Sequence, residues 1–135
     1  MKILPLILAL GWLGLVPAAF AQANDTGAAE YVSIKPPFVV NLGPVSGPRL
    51  SYLKTEVALR TSSKTAAEKV KYHLPYIRNE LVLLLSRQDL ASVSTNEGKE
   101  KLRGEALEKV RSVLQQEEGT PLVSDLLFST FVVQR

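Results

Sequence analysis

Between residues 49 and 61 the chain alternates. Leu53, Val57 and Leu59 fall on one side, and Lys54, Glu56 and Arg60 on the other. A period of two predicts a half-buried strand whose polar face looks at water or at a partner. Upstream, residues 31–42 are β-prone at Tyr31 or Val32, at Ile34, and from Phe38 to Val40. Pro36 and Pro37 interrupt them. Proline cannot donate to a strand ladder, so this segment is expected to be an edge strand or a bent one. Gly43-Pro44 and Gly47-Pro48 bracket a turn between the two strands. In residues 123–134 both parities are apolar: Leu126, Phe128, Thr130 and Val132 on one, and Val123, Leu127, Phe131 and Val133 on the other. That pattern predicts a central strand covered on both faces, or one covered on one face and bound on the other.

The middle of the chain changes period. Thr65-Ala66-Ala67-Glu68 has the spacing of a capping box at a helix start. Val70, Leu74, Ile77, Leu81 and Leu84 or Leu85 then recur at helical spacing. Pro75 lies inside this stripe, where it removes a hydrogen bond and costs about 3 kcal/mol. A kink or a break into two helices is expected there. The run Leu81-Val82-Leu83-Leu84-Leu85 predicts burial on several sides, and residues 86–94 read as a connection. Thr95 or Asn96 caps a further helix with the stripe Leu102, Ala106, Val110, Val113 and Leu114. Its opposite face carries Glu97/Lys101 and Glu105/Lys109 at i,i+4, and Gly119-Thr120-Pro121 stops it. Gly98 fits the first turn at little cost. Gly104 costs up to about 1 kcal/mol relative to alanine, which a close helix contact or simple tolerance explains. The order is ββααβ, an α+β fold with a small antiparallel or mixed sheet and two or three helices packed on it.

The first residues belong to a different class. Met1 and Lys2 precede an uncharged apolar run over residues 3–16, then Pro17 and Ala19-Phe20-Ala21. A short apolar core before an A-x-A site is the pattern of a secretory signal peptide over residues 1–21. The alternative is an uncleaved membrane anchor to about residue 23. The positive N-terminus stays in the cytoplasm in either case, so the domain lies outside it, in the periplasm. Residues 22–30 read as a linker and 31–135 as one domain.

Composition narrows the chemistry. The chain has 135 residues, no cysteine, one histidine and a formal charge of +3, with Lys2 in the leader. Disulfides and thiolate metal sites are excluded. The basic residues are interspersed with acidic ones and form no stripe with aromatics, which argues against nucleic acid. His73 falls one turn from Lys69 and off the apolar stripe, a surface position with no nucleophile beside it. Glu117-Glu118 reads as a solvated helix end. No phosphate-binding loop or nucleophile elbow is present, so neither an enzyme nor a cofactor nor a metal is expected.

Several pieces, in order, resemble one family. Residues 38–42 (Phe-Val-Val-Asn-Leu) resemble the opening strand of the FliL family, the flagellar basal-body-associated proteins, and residues 49–54 its second strand. Pro75, Arg78, Asn79 and Glu80 with residues 83–86 resemble its helix with proline and arginine. Residues 98–103 resemble the start of the next helix, and Phe128 through Gln134 the closing strand. The resemblance implies a stomatin-type (SPFH) fold. It also implies association with flagellar stator or basal-body proteins, assembly of copies into a ring, and support of swimming or swarming. Members of the family usually begin with a cytoplasmic tail and a transmembrane helix, from which the short leader here departs. The candidate partner-binding residues are Lys54, Glu56 and Arg60 on the second strand and Arg78 and Glu80 on the first helix. The rival function is a released periplasmic binding or envelope-structural module with no motor role.

Overall fold

The computed structural model describes residues 28–43 and 49–135. The leader, most of the 22–30 linker and residues 44–48 of the turn lie outside the described residues. Three strands form one antiparallel sheet, β1 (Glu30–Leu42), β2 (Ser51–Thr61) and β3 (Val123–Gln134), in spatial order β1-β2-β3. Four helices pack on one of its faces: α1 (Lys64–Tyr72), α2 (Leu74–Ser86), α3 (Leu90–Val93) and α4 (Asn96–Glu118).

The alternation in β2 holds throughout. Leu53, Val57 and Leu59 are fully buried with Thr55 and Thr61 between and beyond them, and Lys54 and Arg60 are exposed. The buried face meets Ile77, Leu81 and Leu85 of α2 and the α4 stripe Leu102, Ala106, Val110, Val113 and Leu114 in one continuous core. Burying each of these aliphatic side chains contributes roughly 1.5–3 kcal/mol. The Thr55 hydroxyl, buried with them, donates to the Thr130 carbonyl at 2.6 Å, so it is not left unpaired.

β1 is an edge strand, as its prolines require. Opposite Glu56 it carries three residues, Lys35, Pro36 and Pro37, between the paired positions Ile34 and Phe38. The bulge keeps the phase, so Val32, Ile34, Phe38, Val40 and Leu42 all point into the core.

β3 is not central. It is the opposite edge, and β2 lies in the middle. The two-faced reading fails because irregularities between Glu56 and Val57 and between Arg60 and Thr61 shift the pairing. Val123, Leu126, Phe128, Phe131 and Val133 sit across from Thr61, Leu59, Val57, Thr55 and Leu53, all on the core side. A bulge inverts the side-chain phase beyond it, so strict alternation misassigns half the strand.

Helix starts and stops follow local chemistry. α1 is capped by Ser63 rather than Thr65. Ser63 takes an extended backbone and its hydroxyl accepts from the Ala66 N–H at 3.1 Å. The stripe breaks at His73, and Pro75 occupies the first turn of α2, where its missing N–H has no intrahelical partner to lose. Residues 86–94 are more than a connection: Asp89 and Ser92 form a reciprocal capping box over the four-residue α3. α4 begins at the Thr95 cap, whose hydroxyl accepts from Gly98, and ends at Gly119 in the left-handed conformation (φ 75°). The four helices thus exceed the two or three expected.

The run at residues 81–85 is buried over all but one position. Leu81 and Leu85 are inside, Val82 and Leu84 are half-buried against the core, and Leu83 is exposed, because α2 lies on the surface of a two-layer fold. The two glycines of α4 exchange roles. A β-carbon at Gly98 would fall 1.7 Å from the Ser92 carbonyl oxygen, so α3 touches α4 there, whereas Gly104 faces open space.

Candidate functional site

All helices cover one face of the sheet, so the other is the broad uncovered surface. Its rows follow from the register. Val39, Lys54 and Val132 form one, Asn41, Tyr52 and Gln134 a second, and Ser33, Ala58 and Leu127 a third. Tyr31, Val39, Leu127 and Val132 are exposed apolar side chains around a charged central column of Lys54, Glu56 and Arg60. Glu56 is partly held by Lys35 at 3.8 Å. The Tyr52 hydroxyl donates to the Gln134 side chain, which ties the end of β3 to β2. Sequence reasoning found the charged column. It missed the apolar frame, because Leu127 and Val132 sit on opposite parities and only the bulge between Phe128 and Thr130 brings them to one face.

Arg78 and Glu80 are elsewhere, on α2 in the helical layer. Arg78 Nη1 donates to the Pro36 carbonyl at 2.6 Å and Nη2 to Pro37 at 3.3 Å, with its guanidinium carbon 4.4 Å from the centre of the Phe38 ring. A planar fork can hold both carbonyls while stacking on the ring, which a lysine cannot do. Glu80 lies 3.8 Å from Lys109 of α4. The structure therefore brings Lys54, Glu56 and Arg60 together. It separates them from Arg78 and Glu80, which are engaged within the fold.

His73 is not a surface histidine. Its side chain is 12% exposed, and Nε2 donates to Glu118 Oε1 at 2.7 Å. A carboxylate can only accept, which fixes the tautomer. Lys69 reaches the other oxygen of Glu118 at 3.2 Å. The His73 bond, then Lys69, holds the Glu118 carboxyl below the usual range. Glu118 thus staples the end of α4 to the α1–α2 junction. No cluster of three metal-ligating side chains occurs among the described residues.

Two further features escaped the sequence. Arg103 donates to Asp125 at 2.6 Å and to the Leu126 carbonyl at 3.3 Å, and pairs with Glu100 on its own helix. That hydrogen bond to Arg103 holds the Glu100 carboxyl low and raises the guanidinium. Arg111 donates to the Val123 carbonyl at 2.9 Å. Their eight-residue spacing on α4, facing a strand, is the signal that could have found them. A groove of about 750 Å³ also runs between α2 and α4 over Leu84, Leu107 and Gly104. Its rim carries both signs, Arg87 and Lys101 beside Glu105, and so selects no charge.

Residues 31–134, from the second residue of β1 to the end of β3, match the family described as flagellar basal body-associated protein FliL. The chain belongs to the FliL family. Flagellar protein FliL of Escherichia coli (strain K12) is 32% identical over 120 residues, covering 89% of this chain and 68% of that protein. The Shigella flexneri protein of the same name matches to the same extent. The Aquifex aeolicus (strain VF5) protein is 28% identical over 101 residues, covering 75% of this chain and 59% of that one. The FliL match takes in all seven elements described above, apart from the first residue of β1. Among the described residues no helix is long and apolar enough to cross a membrane.

Proposed function

We propose that this chain is a non-enzymatic accessory of the flagellar basal body that acts by contact. Copies of the domain over residues 31–135 assemble near the stator, as a ring, outside the inner membrane, and support rotation in swimming or swarming. The observation that carries this reading is FliL family membership across the whole fold. The uncovered sheet face, with Lys54, Glu56 and Arg60 inside an apolar frame, is a surface suited to such contacts. Interfaces of this type combine an apolar contact area with charges that set register and partner. The three-stranded sheet with helices on one side is consistent with a stomatin-type relationship.

The test uses the double variant Lys54→Glu with Arg60→Glu, returned to a strain lacking the gene. Loss of swimming at unchanged protein level is expected. Normal swimming overturns the role of this face. Arg78 is unsuitable for that test, because reversing its charge would release the β1 bulge.

A second reading follows from the Ala19-Phe20-Ala21 site: cleavage after residue 21 would release a periplasmic module with no motor role. N-terminal sequencing after fractionation separates the two. A start at Gln22 in the soluble periplasm favours release, and an intact Met1 in the membrane fraction favours the anchored form.

A further inference from the structure

A sheet edge presents unpaired backbone groups that a fold must cover or leave as a template for another strand. On β1 the covering is at the bulge: Lys35, Pro36 and Pro37 interrupt the ladder, and Arg78 takes the carbonyls of Pro36 and Pro37. On β3 it stops halfway. Arg111 holds the Val123 carbonyl, Arg103 the Leu126 carbonyl, and the Asp125 carboxylate accepts the Leu126 N–H at 2.8 Å. From Phe128 to Gln134 no side chain among the described residues reaches the outward backbone groups. Thr130 is met only from the inner side, by Thr55.

The open half of the edge runs beside the first turns of α4, and the space between them is a groove. One cavity of about 400 Å³ is lined by Leu127, Phe128 and Phe131 with Asn96, Glu100 and Arg103. A second, of about 260 Å³, is lined by Val93, Phe131, Val133 and Arg135. Lys99 and Phe131 border both, with the Lys99 ammonium 5.1 Å from the centre of the Phe131 ring. Lys99 makes no ion pair among the described residues, whereas neighbouring Glu100 is held by Arg103.

We propose that this groove takes an extended peptide as a fourth strand on β3. The peptide has apolar side chains at alternate positions and an acidic residue beside Lys99. Side chains on one face of an added strand recur every second residue, which suits two adjoining cavities, and main-chain hydrogen bonds to the edge supply affinity that needs no fixed sequence. Charge favours such a peptide over a second copy of this chain: the open half of β3 from Phe128 to Gln134, which a second copy would lay along the groove, holds no acidic residue to meet Lys99. The inference stands apart from the flagellar reading: its groove shares only Leu127 with the sheet face of Lys54 and Arg60, and its test uses no motility readout.

Random heptapeptides displayed on phage are selected on the immobilised full chain, and the recovered peptides are titrated by fluorescence anisotropy. The expected consensus alternates apolar residues and carries Asp or Glu. Lys99→Glu should weaken binding about tenfold or more, equivalent to a charge contact of ordinary strength. That variant places an acid in the first turn of a helix, where the dipole favours it, so folding is retained. Phe131→Ala, which empties the shared wall, is the second variant. N-methylation of alternate peptide amides should abolish binding on one edge and change it less than about twofold on the other, the signature of strand addition. Failure of the selection to converge overturns the proposal, as does indifference to N-methylation on both edges or unchanged affinity in both variants. A concentration-dependent dimer lost in Phe131→Ala overturns it in favour of self-pairing.

Discussion

Two phenylalanines flank Thr55 in one row of the sheet, Phe38 on β1 and Phe131 on β3, and each has a cation over its ring. The surroundings are otherwise opposite. Phe38 is 1% exposed and its cation, Arg78, is also bound to two carbonyls of the bulge. Phe131 is half-buried and its cation, Lys99, has no acceptor among the described residues. The same pair of groups holds two backbone carbonyls at one edge and none at the other. The difference lies in the cation: a guanidinium satisfies backbone acceptors while it stacks, whereas an ammonium over a ring remains a solvated point charge.

That comparison breaks most readily at the rings. Phe38→Ala should cost about 3–5 kcal/mol, the range for an aromatic side chain removed from a closed core. Phe131→Ala should cost no more than about 2 kcal/mol, since part of its area is already in water. Urea denaturation of the two variants measures both, and equal losses would mean the edges are equally closed. The cations give the next effect. Arg78→Ala should cost about 1–2 kcal/mol through two lost hydrogen bonds and the lost contact with the Phe38 ring, with Arg78→Lys recovering less than half. Lys99→Ala should stay within about 0.5 kcal/mol, as surface substitutions do.

The smallest effect depends on pH. The seal on β3 runs through Arg103 and Glu100, and the Glu100 carboxyl is held low by that pairing. A carboxyl depressed in the folded state contributes stability that is present above its unfolded value, about 4.3, and is lost as pH falls through the lower folded value. The seal on β1 uses carbonyl acceptors, which do not titrate. Below about pH 4 amide exchange over residues 123–126, corrected for intrinsic rates, should quicken while exchange over residues 38–40 does not. Parallel acceleration at both edges would show that acid loosens the sheet as a whole.

Local patterns that need no partner were legible in the chain. The alternation of β2, the α4 stripe from Leu102 to Leu114, the Thr95 cap, the Gly119 stop and the break at Pro75 all appear where the residues place them. The candidate surface was legible in its charges, Lys54, Glu56 and Arg60, and not in its apolar frame. Arg78 illustrates the limit. Its position on α2 reads as exposed, but its acceptors lie 41 and 42 residues away on β1. His73 and Glu118 meet across 45 residues in the same way.

Sequence by itself determined the types of the three strands and of α1, α2 and α4, the edge character of β1 and the FliL resemblance, because periodicity, proline chemistry and caps act within a few residues. Tertiary structure alone decided that β2 rather than β3 is central, and that Gly98 rather than Gly104 makes the close approach. It also decided which arginines seal an edge. Each of these depends on register. One bulge moves a side chain to the other face of a strand, and nothing within the strand's own residues records the pairing that produces it.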